Sequence, residues 1–179
     1  MGGVPVRGEF LTFGAPPIGE AEIREVEETI RSGWIGFRPR CLAFESTLKD
    51  YVGSPHAISV GSCSAGLHLA LLAAGVSPGD EVITTPMTFV ATAHAVLHAG
   101  ARPVFVDIDP VRRNLDPDRL EDAITTRTRA ILPVHMAGRP CDMQAILAIA
   151  RRHGLVVIDD AAHALGAFTE GTTSERSGT

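Results

Sequence analysis

Apolar residues in this chain are grouped into short, continuous runs separated by longer amphipathic segments. Five runs predict β-strands, at residues 56–60, 81–84, 102–106, 130–134 and 155–158. Continuous runs are typical of parallel strands covered on both faces, whereas strands with one wet face alternate. The pattern therefore predicts an α/β fold in three layers, a mostly parallel sheet with helices on both faces.

The other segments have the spacing of helices. Residues 19–32 place three branched apolar side chains on one face, and residues 41–51 form a second amphipathic segment. Gly33 and Gly53 mark the ends of these two helices. Four further helices are predicted between the strands, ending near residues 74, 99, 124 and 153.

The chain divides into three segments by composition. Residues 1–55 are expected to form an N-terminal helical segment, residues 56–168 carry the strand–helix alternation, and residues 169–179 are polar throughout. The polar end has two interpretations of equal weight, a disordered tail or a loop whose next strand is missing.

Composition restricts the class of protein. Hydrophobic residues make up 45% of the 179, and the net charge is -5, so a globular core is expected. The absence of a basic stripe argues against a nucleic-acid partner, and no run reaches the roughly 18 apolar residues of a membrane span. The first residues do not resemble a signal peptide, and the three cysteines form no CxxC pair. These features favour a cytoplasmic protein with reduced thiols.

A turn rich in small residues, 61–66, lies between the first predicted strand and its helix. Amides at a helix N-terminus attract anions, and the hydroxyls of Ser62 and Ser64 add donors, so a phosphate group is a candidate ligand. The same residues also fit an ordinary turn with a serine N-cap. A third interpretation makes Cys63 a nucleophile, although its neighbours do not complete a G-x-S-x-G elbow.

Two carboxylates, Asp159 and Asp160, follow the last predicted strand, at the edge where open α/β sheets bind ligands. An acid there can hold a protonated ring nitrogen, and His163 is near enough in sequence to line the same pocket. Alternatively, Asp160 caps a helix and His163 is packed or faces solvent. A metal site formed by these three residues is another interpretation, but it lacks a further ligand.

Other ring-bearing residues occur near strand ends. Phe89, after the second predicted strand, could stack on a flat cofactor, although a single phenylalanine usually belongs to a core. His94 and His98 have i,i+4 spacing without the acid of an HExxH motif, so they are interpreted as surface or core histidines. His135 follows the fourth predicted strand and could reach the same cleft.

Taken together, these stretches resemble the N-terminal portion of the DegT/DnrJ/StrS-type sugar aminotransferases, which use pyridoxal phosphate on the aspartate aminotransferase fold (fold type I). The resemblance extends to about Gly166. It is carried by residues 18–20, 32–35, 61–71, 78–86, 88–92, 103–109, 133–135 and 159–166. One difference is residues 36–40, where the family usually has a threonine–glycine pair before the proline. By this resemblance, residues 56–168 are part of the large, cofactor-binding domain, and the small C-terminal domain is absent.

The resemblance implies pyridoxal 5'-phosphate as the cofactor and a role for each matched residue. Cys63 and Ser64 would bind the phosphate, Phe89 would stack on the pyridine ring, Asp160 would pair with the ring nitrogen, and His163 would lie near the ring. Family members move an amino group from an amino acid, typically glutamate, onto a nucleotide-linked keto sugar. They are homodimers whose pockets use both subunits.

The lysine content of this chain does not match that of the family. By the resemblance, the Schiff-base lysine lies downstream of Gly166, beyond the last residue of this sequence, and the only lysine here is Lys49. The fifteen arginines cannot replace it, because guanidinium stays protonated. We therefore expect a truncated aminotransferase with no catalytic residue of its own and no transaminase activity. The alternatives are a non-catalytic remnant that binds a partner subunit or free cofactor, and an α/β hydrolase that uses Cys63.

Overall fold

Four parallel strands form the sheet in the computed structural model, which describes residues 3–4, 6–9, 14–37 and 39–167. The predicted polar end, 169–179, lies outside the described residues. In the order β2-β1-β3-β4, each strand is parallel to its neighbours, which confirms the predicted parallel sheet. The strands are β1 (Glu81–Thr84), β2 (Arg102–Phe105), β3 (Thr128–Ile131) and β4 (Val156–Val157).

Six helices precede or flank the sheet in the described part of the chain. The predicted helix at 116–124 starts as a 3-10 turn, Pro117–Arg119, because the Asp116 carboxylate accepts the Asp118 N–H at 3.1 Å. A second 3-10 turn, Met136–Gly138, follows β3. The helices are α1 (Glu20–Ser32), α2 (Arg40–Val52), α3 (Cys63–Ala73), α4 (Val90–His98), α5 (Leu120–Ala123) and α6 (Met143–His153).

Adjacent residues of a strand point to opposite faces of the sheet and so enter two separate cores. Val82 of β1 packs with apolar side chains of α3 and α4, including the fully buried Leu71. Its neighbour Ile83 packs on the other face with side chains of α5 and α6, including the fully buried Ile146. Helices therefore cover both faces, and the predicted three-layer arrangement is confirmed.

The predicted strand at residues 56–60 is wrong, because the described chain has no regular strand there. A strand needs a neighbouring strand for its backbone hydrogen bonds. Instead, the Ser59 N–H donates to the Glu45 carboxylate of α2 at 2.7 Å. Ile58 is 82% exposed, so this apolar run enters neither core.

The two N-terminal helices have the predicted positions but contribute to neither core. None of the residues in α1 or α2 is buried, and the apolar face predicted for α1 is more than half exposed. Arg40 joins the two helices through ion pairs with Glu25 (2.8 Å) and Glu28 (2.6 Å). Within the described residues, every helix is too short or too polar to cross a bilayer.

Candidate functional site

The carboxyl ends of β1, β3 and β4 meet at one edge of the sheet, where the following segments enclose a pocket of about 30 Å³. A bridge between Val134 and Asp160 extends the alignment of β3 and β4, with the Asp160 N–H donating to the Pro133 carbonyl at 2.9 Å. This volume suits about one water molecule, so a larger ligand would have to extend past the exposed Phe89 and His163 side chains. Its lining residues are Thr88, Phe89, Val134, His135, Met136, Asp160, Ala162 and His163.

Asp160 is the buried acid of this pocket, with 6% of its surface exposed. Its Oδ2 accepts a hydrogen bond from the Thr92 hydroxyl at 2.7 Å, and its Oδ1 accepts the Ala162 N–H at 3.3 Å. The Cys63 Sγ lies 3.9 Å from Oδ1. Asp160 therefore joins the segment after β4 to the first residue of α3 and to α4.

The start of α3 presents free amide groups beside Asp160. The Ser62 hydroxyl accepts the Ala65 N–H at 3.1 Å, and the first intrahelical bond runs from the Gly66 N–H to the Ser62 carbonyl at 3.0 Å. The amides of Cys63 and Ser64 precede that bond, so they point outward with the positive end of the helix dipole. The predicted serine N-cap is confirmed, and it leaves these two amides available to an anion.

Cys63 lies in an environment that disfavours a nucleophilic thiolate. Partial burial raises the pKa of its thiol, and the neighbouring negative charge of Asp160 raises it further. A nucleophilic cysteine needs the opposite, a positive neighbour that lowers the thiol pKa. The raised pKa of the Cys63 thiol therefore argues against the hydrolase interpretation.

Phe89 precedes α4 and lines the pocket, but it does not belong to either core. Its side chain is 72% exposed, so the common role of a single phenylalanine as a core residue does not apply here. An exposed ring beside a buried acid is available to stack on a flat ligand.

His163 lies on the open side of the same pocket. Its Nδ1 accepts the Ala137 N–H at 3.4 Å, which leaves Nε2 free to meet a ligand. Gly138, with φ +82°, approaches the His163 carbonyl so closely that an added Cβ would lie 3.1 Å from it. A side chain at this position would therefore be strained and would force the turn after β3 and the segment that carries His163 slightly apart.

His135 and Asp159 form a second polar pair beside the pocket. The Cys141 N–H donates to His135 Nδ1 at 3.0 Å, so His135 Nε2 faces Asp159 Oδ2 at 4.0 Å. Burial raises the pKa of Asp159, and the facing histidine opposes that rise. Burial also raises the pKa of the Cys141 thiol to about 11, so Cys141 has a structural role. The prediction that His135 reaches the cleft is confirmed by its place in the pocket lining.

Other candidates lie elsewhere. His94 and His98 contact each other on α4, and His98 contacts His68 of α3, with ring centroids 6.2 and 5.9 Å apart. Among the described residues, no three histidine, cysteine or acidic side chains are arranged to hold a metal ion, so the Asp159–Asp160–His163 metal site has no support.

Sequence reasoning overlooked Thr92, which donates directly to the buried acid. The available signal was its i,i+4 spacing from Thr88, which places two hydroxyls on one side of a helix start.

Comparison with known proteins identifies the family. The profile of the DegT/DnrJ/EryC1/StrS aminotransferase family matches residues 16–179. The spore coat polysaccharide biosynthesis protein SpsC of Bacillus subtilis is 52% identical over 162 residues, which cover 90% of this chain and 42% of SpsC.

Solved structures agree with the sequence matches. NtdA from Bacillus subtilis, solved with bound cofactor PMP, has a TM-score of 0.80 and 39% identity, over 83% of this chain and 35% of NtdA. DesV from S. venezuelae has a TM-score of 0.76 and 41% identity, over 82% of this chain and 41% of DesV. The chain thus spans less than half the length of these relatives. The bound PMP of NtdA, together with the family match, confirms pyridoxal phosphate as the cofactor of the family. The chain belongs to the DegT/DnrJ/EryC1/StrS aminotransferase family.

Proposed function

We propose that these 179 residues form the cofactor-binding part of an aminotransferase that moves an amino group from an amino acid, typically glutamate, onto a nucleotide-linked keto sugar. One observation carries the proposal: a buried acid, an open aromatic ring and a helix N-terminus converge at one sheet edge. Asp160 lies 3.9 Å from Cys63 at the start of α3 and shares its pocket with Phe89. Family membership supports the same conclusion.

Each part of pyridoxal phosphate has a residue of suitable chemistry at this edge. The amides of Cys63 and Ser64 suit its phosphate, the open face of Phe89 suits its flat ring, and His163 borders the same space. Asp160 suits the ring nitrogen, because a buried carboxylate favours a proton on that atom. When bound, the cofactor supplies a ring that withdraws electron density from the reacting carbon of the substrate.

Transamination also needs a lysine amine that can lose its proton. The one lysine of this sequence, Lys49, lies in α2 beside Asp50 (3.6 Å) and lines a groove with His56, away from the pocket. We infer that these residues by themselves bind the cofactor but do not transaminate.

A second candidate function is that of a non-catalytic subunit that binds another copy of the chain or the free cofactor. Val26, Ile30 and Phe44 line an open groove of about 430 Å³ between α1 and α2. Exposed apolar surface of this kind is typical of protein interfaces, which supports a homodimer. The described cysteines are all free, which supports a cytoplasmic location.

Calorimetric titration of the purified 179-residue protein with pyridoxamine 5'-phosphate tests cofactor binding. This form carries an amine in place of the aldehyde, so it cannot form an imine with Lys49. We expect the wild type to bind and Asp160→Asn to weaken binding at least about tenfold, because a charge-assisted bond is lost. Asp122→Asn, on an exposed part of α5, is the matched control and should bind normally. A wild type that does not bind, or an unaffected Asp160→Asn, contradicts the proposal.

Activity is tested separately by supplying pyridoxal phosphate, glutamate and a panel of nucleotide-linked keto sugars, and by measuring 2-oxoglutarate. We expect no product above the level of Asp160→Asn. Product formation that depends on Asp160 would overturn the inference that these residues do not transaminate.

A further inference from the structure

A chain of hydroxyl groups runs from the pocket to the buried carboxylate of Asp160. The Thr92 Oγ1 lies 2.7 Å from Asp160 Oδ2, and the Thr88 Oγ1 lies 2.6 Å from the Thr92 Oγ1. Thr92 is fully buried, whereas Thr88 lines the pocket. The three side chains thus form one hydrogen-bonded unit that begins at the ligand cleft and ends at its acid.

The chemistry of the carboxylate fixes the direction of this chain. An ionised carboxylate can only accept hydrogen bonds, so the Thr92 hydroxyl must donate its single proton to Asp160. Its oxygen can then only accept from Thr88, and Thr88 must donate. Each hydroxyl therefore has one defined orientation, which a chain of neutral groups would not impose.

The same contacts restrict rotation of the Asp160 side chain. Backbone bonds to Pro133 and His135 fix its main chain but not its carboxylate plane. The Thr92 contact is the shortest to that carboxylate, since the Ala162 N–H is 3.3 Å away and the Cys63 Sγ is 3.9 Å away. A β-branched residue has few side-chain rotamers in a helix, so Thr92 is a stiff support.

We propose that Thr92 is a positioning residue, which holds the Asp160 carboxylate in the orientation that meets a protonated ring nitrogen, while Thr88 holds the Thr92 hydroxyl in place. Thr92 acts only through Asp160 and does not line the pocket itself. The inference rests on the proposed function, since it requires a ligand with a protonated ring nitrogen at Asp160.

Affinity for pyridoxamine 5'-phosphate tests the proposal with closely matched variants. Thr92→Val keeps the side-chain shape but removes the hydroxyl, and we expect it to weaken binding roughly tenfold, about 1.4 kcal/mol. Thr92→Ser restores the hydroxyl and should recover most of the affinity. Thr84→Val is the control, because Thr84 is also fully buried but donates to the Leu132 carbonyl at 2.8 Å and not to Asp160. It should leave affinity unchanged.

A double-mutant cycle with Asp160→Asn distinguishes positioning from a general structural effect. If Thr92 acts through Asp160, then Thr92→Val should have almost no further effect on affinity in the Asp160→Asn background. Additive losses, an unaffected Thr92→Val, or no recovery in Thr92→Ser would overturn the proposal.

The free energies of unfolding in urea, measured for the same four proteins of the cycle, distinguish this inference from the proposed function. A wild type that does not bind pyridoxamine phosphate refutes both the proposed function and a ligand-directed role for Thr92. Coupling in the unfolding cycle would then show a hydrogen bond that serves stability alone. A wild type that binds normally, with Thr92→Val equal to it, refutes the role of Thr92 and leaves the proposed function standing.

Discussion

Two buried carboxylates, those of Asp160 and Glu81, lie at opposite ends of the parallel strands and have different hydrogen-bond partners. Asp160 is at the carboxyl edge, where a hydroxyl supports it. Glu81, the first residue of β1, is fully buried and accepts hydrogen bonds from Arg102 (2.6 Å), Arg127 (2.6 Å) and Thr125 (2.7 Å). These bonds, that of Arg102 foremost, lower the pKa of Glu81 from 4.5 to about 2. At one end of the sheet the buried acid is paired with two arginines, and at the other end the buried acid is bonded to a hydroxyl and a backbone amide.

Replacing Glu81 tests this stabilisation. Because its pKa is lower in the folded state, its contribution is complete above pH 4.5 and is lost as the pH falls toward about 2. We expect Glu81→Gln to reduce the free energy of unfolding at pH 7 by about 1–3 kcal/mol, with the difference from wild type shrinking below pH 4.5. Urea unfolding across this range measures it. Glu20→Gln, an exposed control on α1, should stay within about 0.5 kcal/mol of wild type; a pH-independent difference for Glu81→Gln would refute the argument.

Residue identities predicted part of the site. Phe89, Asp160 and His163 share one pocket, as expected for residues that follow strands at one edge. Their roles toward a cofactor stay predictions. Thr92 and Glu81 were not singled out, because their partners are 68 and 21 to 46 residues away in sequence. The i,i+4 spacing of Thr88 and Thr92 indicates that two hydroxyls are close together, but it does not reveal the distant carboxylate to which they are bonded.

Among the structural elements, the 3-10 turn Met136–Gly138 contacts the segment that carries His163. Ala137 and Gly138 both have positive φ, at 53° and 82°. A left-handed conformation is costly for any residue with a Cβ, and the turn nevertheless places the Ala137 N–H on His163. The backbone of this turn therefore helps to set the position of His163.

Two glycine substitutions separate backbone strain from packing. Gly138 and Gly75 both have positive φ, but only at Gly138 would an added Cβ meet another atom, the His163 carbonyl at 3.1 Å. Gly75→Ala should cost about 1–2 kcal/mol by strain alone, measured by urea unfolding. Gly138→Ala should cost more and should also weaken pyridoxamine phosphate binding, because His163 must shift. Equal effects of the two variants would show that the contact with His163 is unimportant.

The pattern of apolar residues predicted the elements that belong to the covered sheet. Strands within the sheet and the helices covering it were predicted, because burial on both faces leaves a visible apolar run. Residues 56–60 have a similar run, but no strand pairs with them, and the Ser59 N–H donates to Glu45 instead. Composition cannot distinguish a segment that enters a sheet from one that lies against a helix.

At the scale of the described molecule, the exposed apolar side chains of the two N-terminal helices lie apart from the buried cores. Both cores lie against the sheet, between β1–β4 and the helices α3 to α6. The apolar side chains of α1 and α2 face solvent, among them Val26 at 60% and Phe44 at 57% exposure. This surface, which we call the α1–α2 face, is the one that we propose for contact with a second copy of the chain.

Self-association tests the α1–α2 face. We expect sedimentation velocity to show a concentration-dependent dimer, and Val26→Glu with Phe44→Glu to raise its dissociation constant at least about tenfold, because charges are disfavoured at interface centres. Arg24→Glu, exposed elsewhere on α1, is the control for a change of charge. A wild type that stays monomeric, or a double variant that still dimerises, would exclude this face as the interface.

The absence of buried residues in α1 and α2 also determines the order in which parts of the molecule come apart. Helices without fully buried residues open by local fluctuation at a lower cost than segments paired to central strands, which open only with the global transition. Asp160 belongs to the second group, because its amide is bonded to the Pro133 carbonyl beside β3. Fraying of the N-terminal helices should therefore leave the acid of the cleft in place. A change on the α1–α2 face is therefore expected to leave the proposed cofactor-binding edge intact.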